Sequence, residues 1–136
     1  MSYELRSHTA DVAVEATGDT LGTAFAAAAD GLAAAQCDEI PDGGDRFDVS
    51  VTAESREAAL FEYLDELVLQ RDVRGVLPVD NEATVRESDG SWTVEGSARG
   101  VPLAELAARE VKAVTYSEME IAETERGWRV YVVFDV

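Results

Sequence analysis

The last apolar segment of the chain can occupy only one kind of place in a fold. From Trp128 to Asp135 the residues alternate with period two. Trp128, Val130, Val132 and Phe134 line one face; Arg129, Tyr131, Val133 and Asp135 line the other. A strand that is apolar on both faces over part of its length belongs inside a sheet, with neighbours on both sides. The turn signal Glu125-Arg126-Gly127 precedes it, so Lys112 to Glu123 reads as its hairpin partner. The phase of that partner shifts between Tyr116 and Met119, which predicts a bulge near Ser117 or a strand break.

Other segments supply what packs around this strand. Tyr3 to Arg6 and Val12 to Ala16 read as strands, the second stopped by Gly18 and Asp19. Asp19 or Thr20 can cap a helix in which Leu21, Ala24, Phe25, Ala28 and Leu32 form one apolar stripe. Its alanines favour helix and permit close packing on a sheet, and Gly31 is a weak point near its end. Residues 37–46 are a loop rich in Asp, Gly and Pro, followed by a half-buried strand at Phe47, Val49 and Val51. Ser55 caps a second helix with a stripe at Leu60, Tyr63, Leu64, Leu67 and Val68, ended by Gly75 and Pro78. Val79 to Glu87 and Ser91 to Arg99 form a hairpin about Ser88-Asp89-Gly90, and Leu103 to Arg109 is a short connection of helical character. With no repeat and no linker, residues 1–136 are expected to form a single α+β domain, a mixed β-sheet with two main helices packed on it.

Composition narrows the function. A hydrophobic fraction of 46% supports a folded core, and no apolar run is long enough to span a membrane. One cysteine, Cys37, and no signal pattern at the N-terminus fit a soluble cytoplasmic protein. Cys37 has no partner cysteine and no nearby histidine, so it is read as an inert thiol. The net charge is -17, with acids spread from end to end. That argues against a general phosphate-binding surface, which needs clustered cations, and no direct nucleic-acid binding is expected. It matches a halophilic type of composition, for which the screening length falls to roughly 3 Å at 1 M salt. A fold of this charge is expected to be weak in dilute buffer and to gain stability with salt.

Three sets of residues invite chemistry. Lys112 is the only lysine; the other ten basic residues are arginine. Alternation on its strand puts Lys112 with Val114 and Tyr116, where its ammonium either reaches solvent past its own stem or contacts a phosphate or acidic partner. His8, the only histidine, heads His8-Thr9-Ala10-Asp11-Val12 and is a base, a ligand or a structural hydrogen-bonding group. Asp11 opens a strand and Asp135 closes the last one, beside Val136. If these strands are neighbours, their carboxylates converge and repel, and a hard divalent cation such as calcium or magnesium resolves the repulsion. Otherwise Asp11 is a turn or cap residue and Asp135 a frayed terminal acid. No glycine-rich phosphate loop, zinc pattern or nucleophile elbow is present.

The order of these motifs resembles the archease family. The opening His8-Thr9-Ala10-Asp11-Val12, the helix with Ala24-Phe25 and Ala28-Ala29, the segment Leu60 to Leu67, Val111-Lys112-Ala113-Val114-Thr115-Tyr116, and a final strand with Asp135 all fall in place from about residue 3 onward. The resemblance implies an activator and not an enzyme. Its partner would be the RtcB-type RNA ligase of tRNA splicing, and through it tRNA and GTP. The chain would promote guanylylation and multiple turnover of that ligase and broaden its nucleotide use. Metal ligands carry over to Asp11, Asp135 and Val136, with calcium as the metal; residues acting on the partner carry over to Lys112, Asp11 and His8. Two departures stand out: Ser117 replaces a histidine after the Thr-Tyr pair, and Ala107 and Ala108 lie where another is common.

Two rival readings remain open at the level of sequence. One is a chaperone-like modulator of a tRNA-modification enzyme such as a methyltransferase, which needs an exposed contact surface. The other is a metal-dependent hydrolase using Asp11 and His8, which lacks enough grouped acid-base residues.

Overall fold

The computed structural model describes residues 2–8 and 11–136, apart from the side chains of residues 6–8. In chain order the elements are β1 (Ser2–His8), β2 (Asp11–Gly18), α1 (Leu21–Gln36), β3 (Asp45–Ala53) and α2 (Arg56–Arg74). β4 (Val76–Ser88), β5 (Ser91–Pro102), a 3-10 turn (Leu103–Glu105), β6 (Ala113–Thr124) and β7 (Gly127–Asp135) follow.

The α+β class with two main helices is as expected. The strands, however, do not share one mixed sheet. They form a four-stranded sheet of order β1-β2-β7-β6 and a three-stranded sheet of order β3-β5-β4. Every pairing is antiparallel. The division has a physical cause in α1. The expected single stripe is in fact apolar cover on nearly all sides, because α1 packs on β2 and on β4. A helix buried all round needs a layer on each side. Gly31, expected to weaken the helix, is required there: a Cβ would sit 2.5 Å from Val14 Cγ1.

The helix ends follow their sequence signals. Thr20 accepts from the Thr23 amide at 3.1 Å, and the Thr23 hydroxyl accepts from the Thr20 amide at 3.0 Å, closing a capping box. Ser55 caps α2 through the Ala58 amide at 3.0 Å, and Gly75 ends it with φ 67. Segment 103–109 holds only one 3-10 turn, because its later residues bond to the end of α1 and not to each other.

β7 lies between β2 and β6, as its two-faced apolarity demands. Val14, Val130, Val132 and Phe134 are fully buried and join Phe25, Leu60, Tyr63 and Leu64 in one cluster that reaches both sheets. The β6–β7 register shifts between Thr115 and Glu120, with Glu118 at φ 54, which is the bulge predicted near Ser117. A second irregularity has no local sequence signal. β4 slips between Val79 and Glu82, and buried Asn81 gives both its amides to Asp30 Oδ1 at 3.0 and 2.9 Å. At the entry to α2, the Arg56 guanidinium lies 6.0 Å from the Trp92 ring and 5.4 Å from the Trp128 ring, one from each sheet.

Candidate functional site

The register of the four-stranded sheet assembles the residues singled out from sequence. Asp11 is the first residue of β2 and Asp135 the last of β7, and they stand directly opposite one another in the ladder. On the outer side of β2, His8 stands opposite Asp11. On the far side of β7, Ala113 stands opposite Asp135, and the Lys112 amide donates to the Asp135 carbonyl at 2.9 Å. His8, Asp11, Asp135 and Ala113 therefore form one row across all four strands. The row is fixed from behind by buried pairs such as Val14 with Val132 and Ala16 with Val130. A slip of one residue would turn all of these to the wrong face, so the core sets the site.

Asp11 is half-buried, while Asp135 and Val136 are exposed. The His8 side chain and all of Thr9 and Ala10 lie outside the described residues. Among the described residues no three His, Cys, Asp or Glu side chains are grouped closely enough to hold a metal ion. Two carboxylates in direct cross-strand register are nonetheless unfavourable in isolation, and their all-oxygen donor set suits a hard cation. Asp11 and Asp135, with Val136 beside them, fit one side of such a site.

Lys112 differs from its expected setting. It precedes β6 and is not part of it, and the face that alternation predicts for it is split: Val114 is buried and Tyr116 is exposed. The cause is the bulge after Thr115 together with a different anchor for residues 109–112. Val111 is fully buried in the core cluster. The Lys112 side chain is exposed and, among the described residues, has no hydrogen-bond or ion-pair partner.

The anchor consists of residues that sequence reasoning passed over. The Arg109 amide donates to the Gln36 carbonyl at 2.6 Å, and its Nε to the Ala35 carbonyl at 3.2 Å. Its guanidinium also bonds Asp38 at 2.9 Å. That hydrogen bond, with the arginine's charge, holds the Asp38 carboxyl below its ordinary pKa and raises that of Arg109. Arg71, nearly buried, donates to Gln36 Oε1 at 2.6 Å and pairs with Asp72 at 3.1 Å. The last turn of α1 has no basic residue of its own. Arg71 and Arg109 bring cations to that helix end from elsewhere, where the dipole favours them. The available signal was Gln36, a lone polar side chain closing an alanine run.

Ser117, which replaces the expected histidine, is exposed and donates its amide to Thr115 Oγ1 at 3.2 Å, opening the bulge. Cys37 is buried, and its thiol donates to the Glu39 carbonyl at 3.1 Å. No helix among the described residues is long and apolar enough to cross a membrane.

Comparison with known proteins gives the family and the fold. The model of the Archease protein family (MTH1598/TM1083) matches residues 3–136. Protein archease of Pyrococcus furiosus is 32% identical over 143 residues, covering 98% of each chain. Protein archease of Archaeoglobus fulgidus is 33% identical over 138 residues, covering all of both. The solution structure of Methanobacterium thermoautotrophicum protein 1598 superposes with a TM-score of 0.86 at 28% identity, covering 99% of each chain. The crystal structure of a Thermotoga maritima archease, described as a possible chaperone, shares the fold with a TM-score of 0.63 at 20% identity over 98% of each chain. With its family model matched over nearly its whole length, the chain belongs to the archease family.

Proposed function

We propose that this protein activates an RtcB-type RNA ligase in the cytoplasm, promoting guanylylation of the ligase and its repeated turnover in tRNA splicing. One observation carries the reading: the Lys112 backbone is bonded to Asp135, which stands opposite Asp11. An exposed cation is thereby tethered beside a pair of acids at one sheet end. Guanylyl transfer develops negative charge on phosphate oxygens, and a positioned ammonium can stabilise it. In this reading Lys112 contacts a phosphate or carboxylate at the ligase's nucleotide pocket. Asp11, Asp135 and Val136 hold a divalent cation, calcium by the looseness of the donor set, which would supply a hard Lewis acid next to those phosphates. His8 completes the row and acts on the partner with Asp11. Broader nucleotide use by the ligase belongs to the same reading. Acting through a partner, the chain is an activator and not itself an enzyme.

The test is ligase guanylylation and multiple-turnover RNA joining with wild type, Lys112→Ala and Asp11→Ala. We expect both folded variants to lose most of the stimulation. Full stimulation by both would sink the assignment. A second reading, a chaperone-like modulator of a tRNA-modification enzyme, draws support from the description of the T. maritima protein. It predicts that Lys112→Ala is silent.

A further inference from the structure

The outer face of α2 carries apolar residues that the core does not use. Leu60, Leu64, Leu67 and Val68 face inward, yet Leu69 is 51% exposed and Val73 is 72% exposed one turn further on. Single exposed apolar residues need no explanation, but these two share one helix face. That face is otherwise acidic, with exposed Glu62, Asp65 and Asp72 around them.

This face lies next to the Lys112 segment. Phe61 stacks on the exposed Tyr116 with ring centroids 4.3 Å apart and an interplanar angle of 8°. At the other end of the helix, Arg71 and Asp72 border a cleft with Arg109 and Glu110. α2 thus runs antiparallel along residues 109–116, with Lys112 between its two ends. β6 is also the last strand of its sheet, so its outer edge pairs with no other described strand.

We propose that the outer face of α2 and the adjoining edge of β6 form the docking surface for the protein partner, a surface with a cationic rim around an apolar pocket. This inference rests on the activator reading above and names the face it uses. Leu69 and Val73 fill the apolar pocket, Tyr116 is the aromatic anchor, and the surrounding acids pair with the basic rim. Docking here brings Lys112 to the partner while leaving its ammonium free. Charge selects the occupant. RNA phosphates are repelled by Glu62, Asp65 and Asp72, and a second copy of this chain would set the same acids against themselves.

The experiment measures Kd for the ligase, and guanylylation at saturating protein, for wild type, Leu69→Ser/Val73→Ser and Glu62→Lys/Asp65→Lys. The serine variant should weaken binding by about ten-fold or more while keeping maximal stimulation. The lysine variant should slow association and flatten its salt dependence. Thermal melts serve as the folding control, since all four positions are exposed. Wild-type stimulation together with Kd values within about two-fold for both variants overturns the docking face and leaves the activator role standing. Absence of both binding and stimulation by wild type fells the activator role and this inference with it. Wild-type self-association, or binding of an RNA oligonucleotide, that is abolished by the serine variant would assign the face to that occupant instead and also overturn the proposal.

Discussion

The two helices of this protein answer opposite demands. α1 is enclosed by both sheets, which approach it closely on each side: a Cβ on Gly22 would meet the Ala83 carbonyl oxygen at 2.5 Å, and one on Gly31 would meet Val14 Cγ1 at 2.5 Å. Alanine and glycine dominate it because the space between layers is narrow. α2 buries one side only and offers acids, Leu69 and Val73 on the other. The contrast shows a division of labour. α1 fills the space between the two sheets and backs the β2–β7 ladder in which Asp11 stands opposite Asp135. α2 touches the same core from outside and retains a face for other work.

The sharpest way to break this contrast is to hollow each helix in turn. Phe25, on α1, is fully buried, and Phe25→Ala should cost about 3–5 kcal/mol in unfolding free energy. Val73→Ala on the outer face of α2 should change stability by no more than about 0.5 kcal/mol. Chemical denaturation of both variants decides it, and equal losses would show that α2 is buried against something in solution.

A smaller effect tests where the helices meet. Arg71→Ala leaves the Gln36 side chain with its buried oxygen unpaired and should cost about 1–3 kcal/mol. Because Gln36 also receives the Arg109 amide through its carbonyl, the Lys112 segment should loosen. We expect faster amide hydrogen exchange at residues 109–112, with the β2–β7 pairing still protected. Unchanged exchange would detach this contact from the site.

The smallest effect is one of pH. Burial raises the pKa of Asp30 above its ordinary 3.8, more than the Asn81 hydrogen bonds lower it, and Asp80 adds to the rise. The folded protein therefore holds this proton to a higher pH than the unfolded chain does. The stabilisation from protonation is complete below 3.8 and is lost as pH rises through the elevated folded value. Asp30→Asn keeps an oxygen for the Asn81 amides and removes the titration. Denaturation midpoints measured across the acid range should fall less steeply with rising pH in the variant. Parallel curves would contradict the assignment.

What the sequence made legible was local chemistry. The caps at Thr20 and Ser55, the stop at Gly75, the bulge beyond Thr115 and the interior place of β7 all follow from side chains acting on nearby backbone. The union of Asp11 with Asp135 was conditional on strand adjacency, and apolar alternation on β2 and β7 then fixed the register. Two sheets in place of one were not legible, because period two marks a strand without naming its neighbour. Nor was the Arg109 anchor, since it joins residues far apart in the chain through main-chain carbonyls that every residue possesses. The slip at Asn81 was hidden for the same reason: its partner, Asp30, sits on a helix far upstream.

The aromatic contact at the start of α2 gives this molecule a built-in gauge. Its only two tryptophans, Trp92 and Trp128, flank a single guanidinium and belong to different layers. Intrinsic tryptophan emission therefore reports on the seam between layers. A partner that pries the layers apart would change its colour, whereas one that only settles on an outer surface would leave it untouched.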